Sequence, residues 1–205
     1  MQACHLSAKK IACRRGERLL FRGLDLGLDA GSACHIAGPN GIGKTSLLRI
    51  LGGLLKPYSG TIQRTGAAAL LDEKPALDPQ SPLWRALAFW AELDGAPKRE
   101  KHPAHQHPAH EHYADRVGLH DLLDVPVRFL STGQRKRAGL ARMLGQQAPI
   151  WLLDEPLNGL DREGAALTEN CVAEHCAAGG IAVVASHQPI NLPAPLVIDL
   201  EGFVP

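Results

Sequence analysis

The segment from Gly38 to Thr45 has the residue types and the spacing of a loop that holds phosphate groups. It reads Gly-Pro-Asn-Gly-Ile-Gly-Lys-Thr. Glycines at these intervals let several backbone N–H groups point at one anion, while the lysine spans the outer phosphates and the threonine hydroxyl ligates magnesium. We therefore predict that the chain binds a nucleoside triphosphate with Mg²⁺. The predicted nucleotide contacts are Gly38, Pro39, Asn40, Gly41, Ile42, Gly43, Lys44, Thr45 and Ser46.

The sequence around this loop predicts the two elements that must position it. Residues Ser32 to Ala37 form a short, largely apolar run of strand length, and Thr45 to Leu51 have helical spacing. A helix that begins at the loop directs the positive end of its dipole toward bound phosphate. This context favours a phosphate loop over the alternative, a glycine-rich turn that contains a lysine by chance.

Two adjacent carboxylates are the second candidate for chemistry. The apolar run that starts at Ile150 is followed by Asp154 and Glu155, so a buried strand is expected to end in acidic side chains. Asp154 is a candidate magnesium ligand, and Glu155 is a candidate base that polarises an attacking water. Alone, the pattern also fits a strand that ends in an ordinary acidic turn. The phosphate loop favours the catalytic interpretation.

A third segment, Leu-Ser-Thr-Gly-Gln at Leu130 to Gln134, opens a predicted helix. Ser131 is a candidate N-cap, and the helix dipole together with the Gly133 N–H is suited to gripping a phosphate. The segment resembles the Leu-Ser-x-Gly-Gln signature of ATP-binding-cassette (ABC) proteins, and it follows the phosphate loop and precedes the acidic strand as it does in that family. The resemblance implies that the nucleotide is ATP. It also implies a signature that acts on the facing subunit through Ser131, Thr132, Gly133 and Gln134.

The same resemblance assigns roles to further residues. Asp161 is similar to the D-loop aspartate that contacts the facing subunit. His187 is similar to the switch histidine that contacts the γ-phosphate, although a lone histidine after a strand is more often structural. Because the chain has one set of motifs, the family pattern implies a second copy, paired head to tail around two MgATP. The implied catalytic residues are Glu155, His187 and Lys44, and the implied magnesium ligands are Thr45 and Asp154.

Two positions depart from the ABC pattern. Cys13 to Arg18 contains only arginines where most members have an aromatic residue that stacks on adenine; a guanidinium group is able to stack on a base instead. Lys74 stands where the family has a glutamine that senses magnesium and the transport partner. Lysine neither accepts a hydrogen bond nor ligates a cation, so Glu73 is the alternative ligand there.

Longer phrases are similar to the ATPases of cytochrome c maturation, nearly end to end: Cys13 to Phe21, Arg49 to Pro57, Ala86 to Trp90 and Val125 to Gln134. This similarity implies an ATP hydrolase and translocase on the cytoplasmic face of the bacterial inner membrane. Its partners would be integral membrane subunits of the CcmB and CcmC type. Its task would be haem export or the ATP-driven release of a haem-loaded chaperone. The subunit of another small ABC exporter, or a nucleotide-gated assembly module with weak hydrolysis, remain alternatives.

Composition excludes several other classes of protein. The chain has 205 residues, a net charge of +1 and 4% aromatic residues, so it lacks the basic footprint of a nucleic-acid-binding protein. We expect no transmembrane segment, because no apolar run reaches membrane-spanning length. The five cysteines are odd in number and scattered, which favours free thiols in a reducing compartment over a disulfide framework.

We predict an α/β fold, a phosphate-loop NTPase of the ABC type with a mostly parallel central sheet, an N-terminal antiparallel β part and a small helical lobe. The antiparallel part covers Leu6 to Leu28, with turns expected at Gly16, Gly23 and Gly27. Further strands are predicted at Ala67–Leu71, Ile150–Leu153, Ile181–Ala185 and Leu196–Leu200, and further helices at Trp84–Leu93, Arg135–Leu144 and Arg162–Ala178.

The chain is predicted to be a single nucleotide-binding domain with two lobes, an ATPase core lobe of residues 1–73 and 131–205 and a helical lobe of residues 74–130. Within the helical lobe, residues 95–112 form a Pro- and His-rich insertion that we interpret as solvated loop, with metal or haem binding as the alternative. Its histidines are His102, His105, His107, His110 and His112. Candidate residues for docking a membrane partner, or else for the lobe's own core, are Leu83, Trp84, Leu87, Phe89 and Trp90.

Overall fold

The structure is a computed structural model, and it describes residues 4–94 and 108–205. The chain divides into two compact units. The first comprises Met1–Asp72, Ala148–Pro156 and Glu169–Pro205, and the second comprises Glu73–Gln147 and Leu157–Thr168. Residues 131–147 and 157–168, which the predicted division assigns to the ATPase lobe, therefore belong to the second, mainly helical unit.

A five-stranded parallel sheet forms the centre of the first unit. Its strands lie in the order β5 (Ala68–Leu71), β6 (Ile150–Asp154), β7 (Ile181–Ala185), β3 (Ala33–Ala37) and β8 (Leu196–Asp199). The strands β6 and β7 are buried along their whole length, as their continuous apolar sequences predict for a sheet covered on both faces. The carboxyl ends of β3, β6 and β7 carry the phosphate loop, the two carboxylates and His187 respectively.

A three-stranded antiparallel sheet in the order β2 (Arg18–Asp29), β1 (His5–Arg15) and β4 (Ser59–Thr65) completes this unit. Gly16 makes the predicted hairpin turn with a φ of 57°. The turns predicted at Gly23 and Gly27 are wrong, because both residues lie inside the continuous strand β2. The strand β4 was not predicted, since it is polar and exposed along nearly its whole length and lacks an apolar signal.

The helix α1 (Lys44–Leu51) and the two sheets share one apolar core in this unit. Leu47, Leu48 and Ile50 of α1 are fully buried, and so are Phe21 and Leu24 of the antiparallel sheet. Burial of each such side chain stabilises the fold by about 1.5–3 kcal/mol. The helix that carries Lys44 and Thr45 is therefore fixed by packing along its whole length.

The second unit contains the helices α2 (Leu83–Leu93), α3 (Pro108–Arg116) and α4 (Thr132–Gln146). The helix α5 (Arg162–Ala177) begins in this unit and ends in the first one. The interpretation of residues 108–112 as loop is wrong, because α3 begins at Pro108, where a helix tolerates proline. The rest of the Pro- and His-rich insertion lies outside the described residues. The predicted fold class is confirmed.

Candidate nucleotide site

The phosphate loop connects β3 to α1 through backbone conformations that favour glycine. Gly38, Gly41 and Gly43 have φ angles of 139°, 80° and 122°. A Cβ atom on Gly43 would lie 3.1 Å from the ring of Phe21, so a side chain there meets steric conflict as well as strain. The glycines that the sequence pattern selected thus permit a tight curl of backbone at the start of α1.

Lys44, the first residue of α1, is 6% exposed and points back across the loop. Its Nζ donates hydrogen bonds to the carbonyl oxygens of Gly38 at 2.7 Å and Pro39 at 3.2 Å. The same Nζ lies 3.1 Å from Glu155 Oε1. The lysine charge is therefore satisfied by two loop carbonyls and by the carboxylate that the sequence analysis selected as the base.

Glu155 is held from both sides and has an unusual backbone conformation. Its φ is 46°, in the left-handed region, and its N–H donates to Ala185 O at 2.8 Å. His187 approaches it with Nδ1 at 2.9 Å from Oε2 and with its backbone N–H at 3.2 Å from Oε1. Burial alone would raise the pKa of Glu155, but the hydrogen bonds from His187 and Lys44 outweigh it and hold that pKa below its ordinary value. The carboxylate is therefore ionised at neutral pH.

Thr45 and Asp154 form a second pair in the same unit. The Thr45 hydroxyl donates to Asp154 Oδ2 at 2.6 Å, and Asp154 is 4% exposed. Hydroxyl and carboxylate oxygens are the donors that Mg²⁺ prefers, and this pair stands beside the loop in which the phosphates would lie. The donor set thus fits a magnesium ion. The structure brings together Lys44, Thr45, Asp154, Glu155 and His187.

The hairpin between β1 and β2 packs on α1. Cys13 is buried, and its thiol makes a hydrogen bond with the side chain of Ser46. Arg14, one of the arginines in the position of the missing adenine-stacking aromatic, has its guanidinium carbon 4.7 Å above the centre of the Tyr58 ring. The contact with Tyr58 was not foreseen, since this tyrosine is 44 positions further along the chain and no local pattern marks it.

The signature segment lies in the second unit, at the start of α4. Ser131 caps the helix as predicted, and Gln134 completes a capping box: the Gln134 N–H donates to Ser131 Oγ at 3.2 Å, and the Ser131 N–H donates to Gln134 Oε1 at 2.8 Å. Gly133 packs so closely that a Cβ atom there would lie 2.7 Å from Gly159 O. Asp161 Oδ1 accepts from the Gly164 N–H at 2.8 Å at the start of α5.

Sequence reasoning missed two residues beside His187. Ser186 and Gln188 are tied to each other through the Ser186 hydroxyl, which accepts from the Gln188 N–H and donates to the Gln188 carbonyl, both at 2.9 Å. A serine two positions before a polar residue at a strand end is the local signal that would have predicted this turn.

The family model for the ABC transporter matches residues 21–158. The chain belongs to the ABC transporter family. Among curated relatives, it is 52% identical to the cytochrome c biogenesis ATP-binding export protein CcmA of Novosphingobium aromaticivorans over 205 residues, which cover 100% of both chains. It is 46% identical to the protein of the same name from Zymomonas mobilis, over 98% of this chain and 85% of that one. The predicted resemblance is confirmed.

Solved structures agree on the fold. An ABC transporter ATP-binding protein from Pyrococcus furiosus superposes with a TM-score of 0.84 at 22% identity, covering 98% of this chain and 100% of that one. The cbiO1 protein from Clostridium perfringens, part of the ABC transporter complex cbiONQ, gives a TM-score of 0.71 at 24% identity, over 91% of this chain and 80% of that one. The chain is therefore an ATP-binding ABC ATPase by family and by fold.

The described residues also bear on a metal site, a membrane-spanning helix, a disulfide and a second ligand-binding cleft. Within residues 4–94 and 108–205, no cluster of three or more His, Cys, Asp or Glu residues is arranged to hold a metal ion, and no helix is long and apolar enough to cross a membrane. All five cysteines are free and buried, as predicted. An open cleft of about 840 Å³ lies on the antiparallel sheet beside Lys9, Lys10 and Asp25, and the phosphate loop takes no part in its lining.

Proposed function

We propose that the chain is the ATP-hydrolysing subunit of a transporter complex for c-type cytochrome biogenesis at the cytoplasmic face of the bacterial inner membrane. The observation that carries this proposal is the contact of Lys44 and His187 with the one carboxylate of Glu155, next to the pair of Thr45 and Asp154. Identity to CcmA proteins over the full length supports the cellular task. The proposed enzyme class is the ABC-type haem transporter ATPase (EC 7.6.2).

The proposed chemistry starts with a rearrangement of Lys44. When ATP enters, its outer phosphates replace Glu155 and the loop carbonyls as partners of the Lys44 ammonium group. Glu155 then accepts a proton from the attacking water, while the Nδ1–H of His187 holds the Glu155 carboxylate in place beside the γ-phosphate. Thr45 and Asp154 would hold Mg²⁺, which when bound neutralises charge on the β- and γ-phosphates. Gly38 to Ser46 would surround the phosphates with backbone N–H groups.

A second copy of the chain completes the proposed site. In this arrangement Ser131, Thr132, Gly133 and Gln134 of one copy face the nucleotide bound to the other, and Asp161 contacts the facing copy. Support comes from the signature segment itself, where Ser131 and Thr132 are exposed at the N-terminus of the 15-residue helix α4. Hydrolysis would separate the two copies and pass the motion to membrane partners.

Base recognition is proposed to depend on arginine instead of an aromatic residue. Arg15 and Arg18 are paired at the end of the β1–β2 hairpin, and both are exposed. Cys13 of the same hairpin makes a hydrogen bond with the side chain of Ser46 in α1. A guanidinium group stacks on a base with less selectivity than an aromatic ring offers. We expect ATP and GTP to compete more evenly here than in ABC proteins with the aromatic residue.

The second unit is proposed to dock on integral membrane subunits of the CcmB and CcmC type. Leu83 and Leu87 are 0% and 4% exposed, so these two candidates belong to the core of the unit. Phe89 and Leu93 are 57% and 62% exposed, and their spacing of four residues places them on the same side of α2. Most ABC proteins have a glutamine at the position of Lys74, and it senses both the magnesium ion and the transport partner. With lysine there, we expect nucleotide binding to be coupled to the membrane partner in a different way.

Recovery of membrane partners on the tagged full-length chain tests this proposal. In mild detergent we expect a small multi-helix membrane protein to co-purify with the parent chain, and expect Phe89→Glu with Leu93→Glu to reduce its recovery at least about tenfold, since buried charge is costly at an apolar contact. Val204→Glu, a change at an exposed apolar residue of the other unit, is the matched control. Failure of the parent to recover any membrane protein would contradict the transporter assignment.

A downstream measurement separates the two candidate tasks. With the recovered complex in vesicles, ATP-dependent movement of haem across the membrane supports export, whereas ATP-dependent dissociation of a haem-loaded chaperone without haem movement supports release. A complex that binds ATP but hydrolyses it no faster than its Glu155→Gln variant would favour the nucleotide-gated assembly module.

A further inference from the structure

The turn that follows β7 is fixed by one buried hydroxyl group. Ser186 is 2% exposed, and its Oγ accepts from the Gln188 N–H and donates to the Gln188 carbonyl oxygen, both at 2.9 Å. His187 lies between the two residues that this hydroxyl joins. The backbone on both sides of the histidine is therefore held at a single point.

Ser186 is also anchored to the strand that leads into the phosphate loop. Its N–H donates to Ile36 O at 3.1 Å, and its carbonyl oxygen lies 3.4 Å from Nε2 of His35. Both partners belong to β3, whose last residue directly precedes Gly38. A shift of the His187 turn relative to the phosphate loop would therefore break hydrogen bonds of a buried residue, which are costly to leave unmade.

The side chain of Gln188 contacts the ring of the histidine. Gln188 Nε2 lies 3.4 Å from His187 Nε2, while His187 Nδ1 lies 2.9 Å from Glu155 Oε2. An amide NH₂ group only donates, and a carboxylate only accepts. One neutral tautomer satisfies both contacts, with the proton on Nδ1 donated to Glu155 and the lone pair of Nε2 accepting from Gln188.

We propose that Ser186 and Gln188 are positioning residues for His187: the serine fixes the backbone turn, and the glutamine fixes the ring orientation and the Nδ1–H tautomer against Glu155. This inference rests on the proposed function, in which His187 and Glu155 act on ATP. Neither residue touches the reacting atoms, so their effect on hydrolysis passes through His187. Removing them is expected to lower kcat and to leave the KM for ATP unchanged, because Lys44 and the loop still bind the phosphates.

Nitrogen-15 NMR of the nucleotide-free, full-length chain labelled at histidine tests the tautomer directly. We expect the His187 signals, identified by their loss in His187→Ala, to report a protonated Nδ1 and an unprotonated Nε2. Gln188→Glu replaces the donor with an acceptor of nearly the same shape, so a proton should appear on Nε2. Gln188→Met, which has neither group, should give a mixture of tautomers. An Nε2–H tautomer in the parent, or identical signals in Gln188→Glu, would overturn the inference.

Steady-state hydrolysis tests the consequence. Ser186→Ala should lower kcat about fivefold, the effect of one ordinary hydrogen bond, while Ser186→Thr keeps the hydroxyl and should restore most of the activity. In a His187→Ala background, Ser186→Ala and Gln188→Met should have no further effect on kcat. Equal losses in both backgrounds would show a general structural role and contradict the inference. A parent without Glu155-dependent hydrolysis would instead contradict the proposed function, and the NMR result would then decide the inference alone.

Discussion

The phosphate-loop site and the signature segment are held in opposite ways. Lys44, Asp154 and Glu155 are largely buried, and each makes direct contacts within the first unit. Ser131 and Thr132 are exposed, and the two hydrogen bonds between Ser131 and Gln134 are those of a helix cap. The first site is therefore assembled within one chain. Under the proposed function, the second binds a nucleotide brought by another copy, so the two sites should respond differently to mutation.

Glu155→Gln should have the largest effect, because it removes the proposed base and its charge while keeping the shape. We expect hydrolysis to fall at least about 100-fold, the usual contribution of a general base. ATP binding should persist, since the amide removes the ionic partner that competes for Lys44. Steady-state phosphate release and size-exclusion chromatography with ATP measure both effects, and an ATP-bound dimer should accumulate.

Glu201→Gln, the same change at an exposed glutamate near the carboxyl end, is the control and should match the parent in both measurements. If Glu155→Gln hydrolyses ATP at the parental rate, Glu155 is not the base. The contact of Lys44 and His187 with this carboxylate would then be structural.

Gly133→Ala tests the other half of the comparison. The new methyl group would lie 2.7 Å from Gly159 O, so the first turn of α4 must shift. Displacement of this kind near a reacting group costs about 10- to 100-fold in rate. ATP binding to the isolated chain should stay within twofold, because the phosphate loop is untouched. Gly27→Ala, at a position with open space around it, is the matched control.

Mixing two defective chains decides whether the signature acts on the same copy or on the other one. In a head-to-tail pair of Gly133→Ala and Lys44→Ala chains, both defects fall in one site and the other site is intact. Random pairing should then recover about one quarter of the parental activity. If each signature served its own chain, both sites would be defective and the mixture would remain as inactive as its components.

The same contrast explains how much the sequence could predict. The phosphate loop and the strand ending at Asp154 were found because short local patterns determine them: positive φ at Gly38, Gly41 and Gly43, and a continuous apolar run in β6. Contacts between distant segments carry no such pattern. The stack of Arg14 on Tyr58 and the anchoring of Ser186 to β3 depend on sheet order, which one sequence does not reveal. The polar edge strand β4 was missed for want of an apolar signal.

The smallest expected effect is on the free energy of unfolding and not on the rate of hydrolysis. It concerns the packing around β6, the strand that ends at Asp154. His175 of α5 stacks on Trp151 of β6, with ring centres 3.9 Å apart. The His175 ring also packs against Gly180 so closely that a Cβ atom there would collide with it. Burial lowers the pKa of His175, against a smaller opposing effect of hydrogen bonding to Ile181 and Pro149. Below the ordinary histidine pKa of about 6.5, the unfolded chain therefore takes up a proton that the folded chain does not. The free energy of unfolding consequently decreases as the pH is lowered.

Urea unfolding of the parent and of His175→Gln between pH 7.5 and 5.5 measures this contribution. For each pH unit by which the fold lowers the pKa of His175, the parent should lose about 1.4 kcal/mol of its free energy of unfolding as this histidine titrates. His175→Gln should start from a lower stability, because the stack on Trp151 is lost, but should decline less steeply with acid. His120→Gln, at an exposed histidine of the other unit, should keep the parental slope. Equal slopes in the parent and His175→Gln would mean that this buried histidine titrates alike in the folded and unfolded chain.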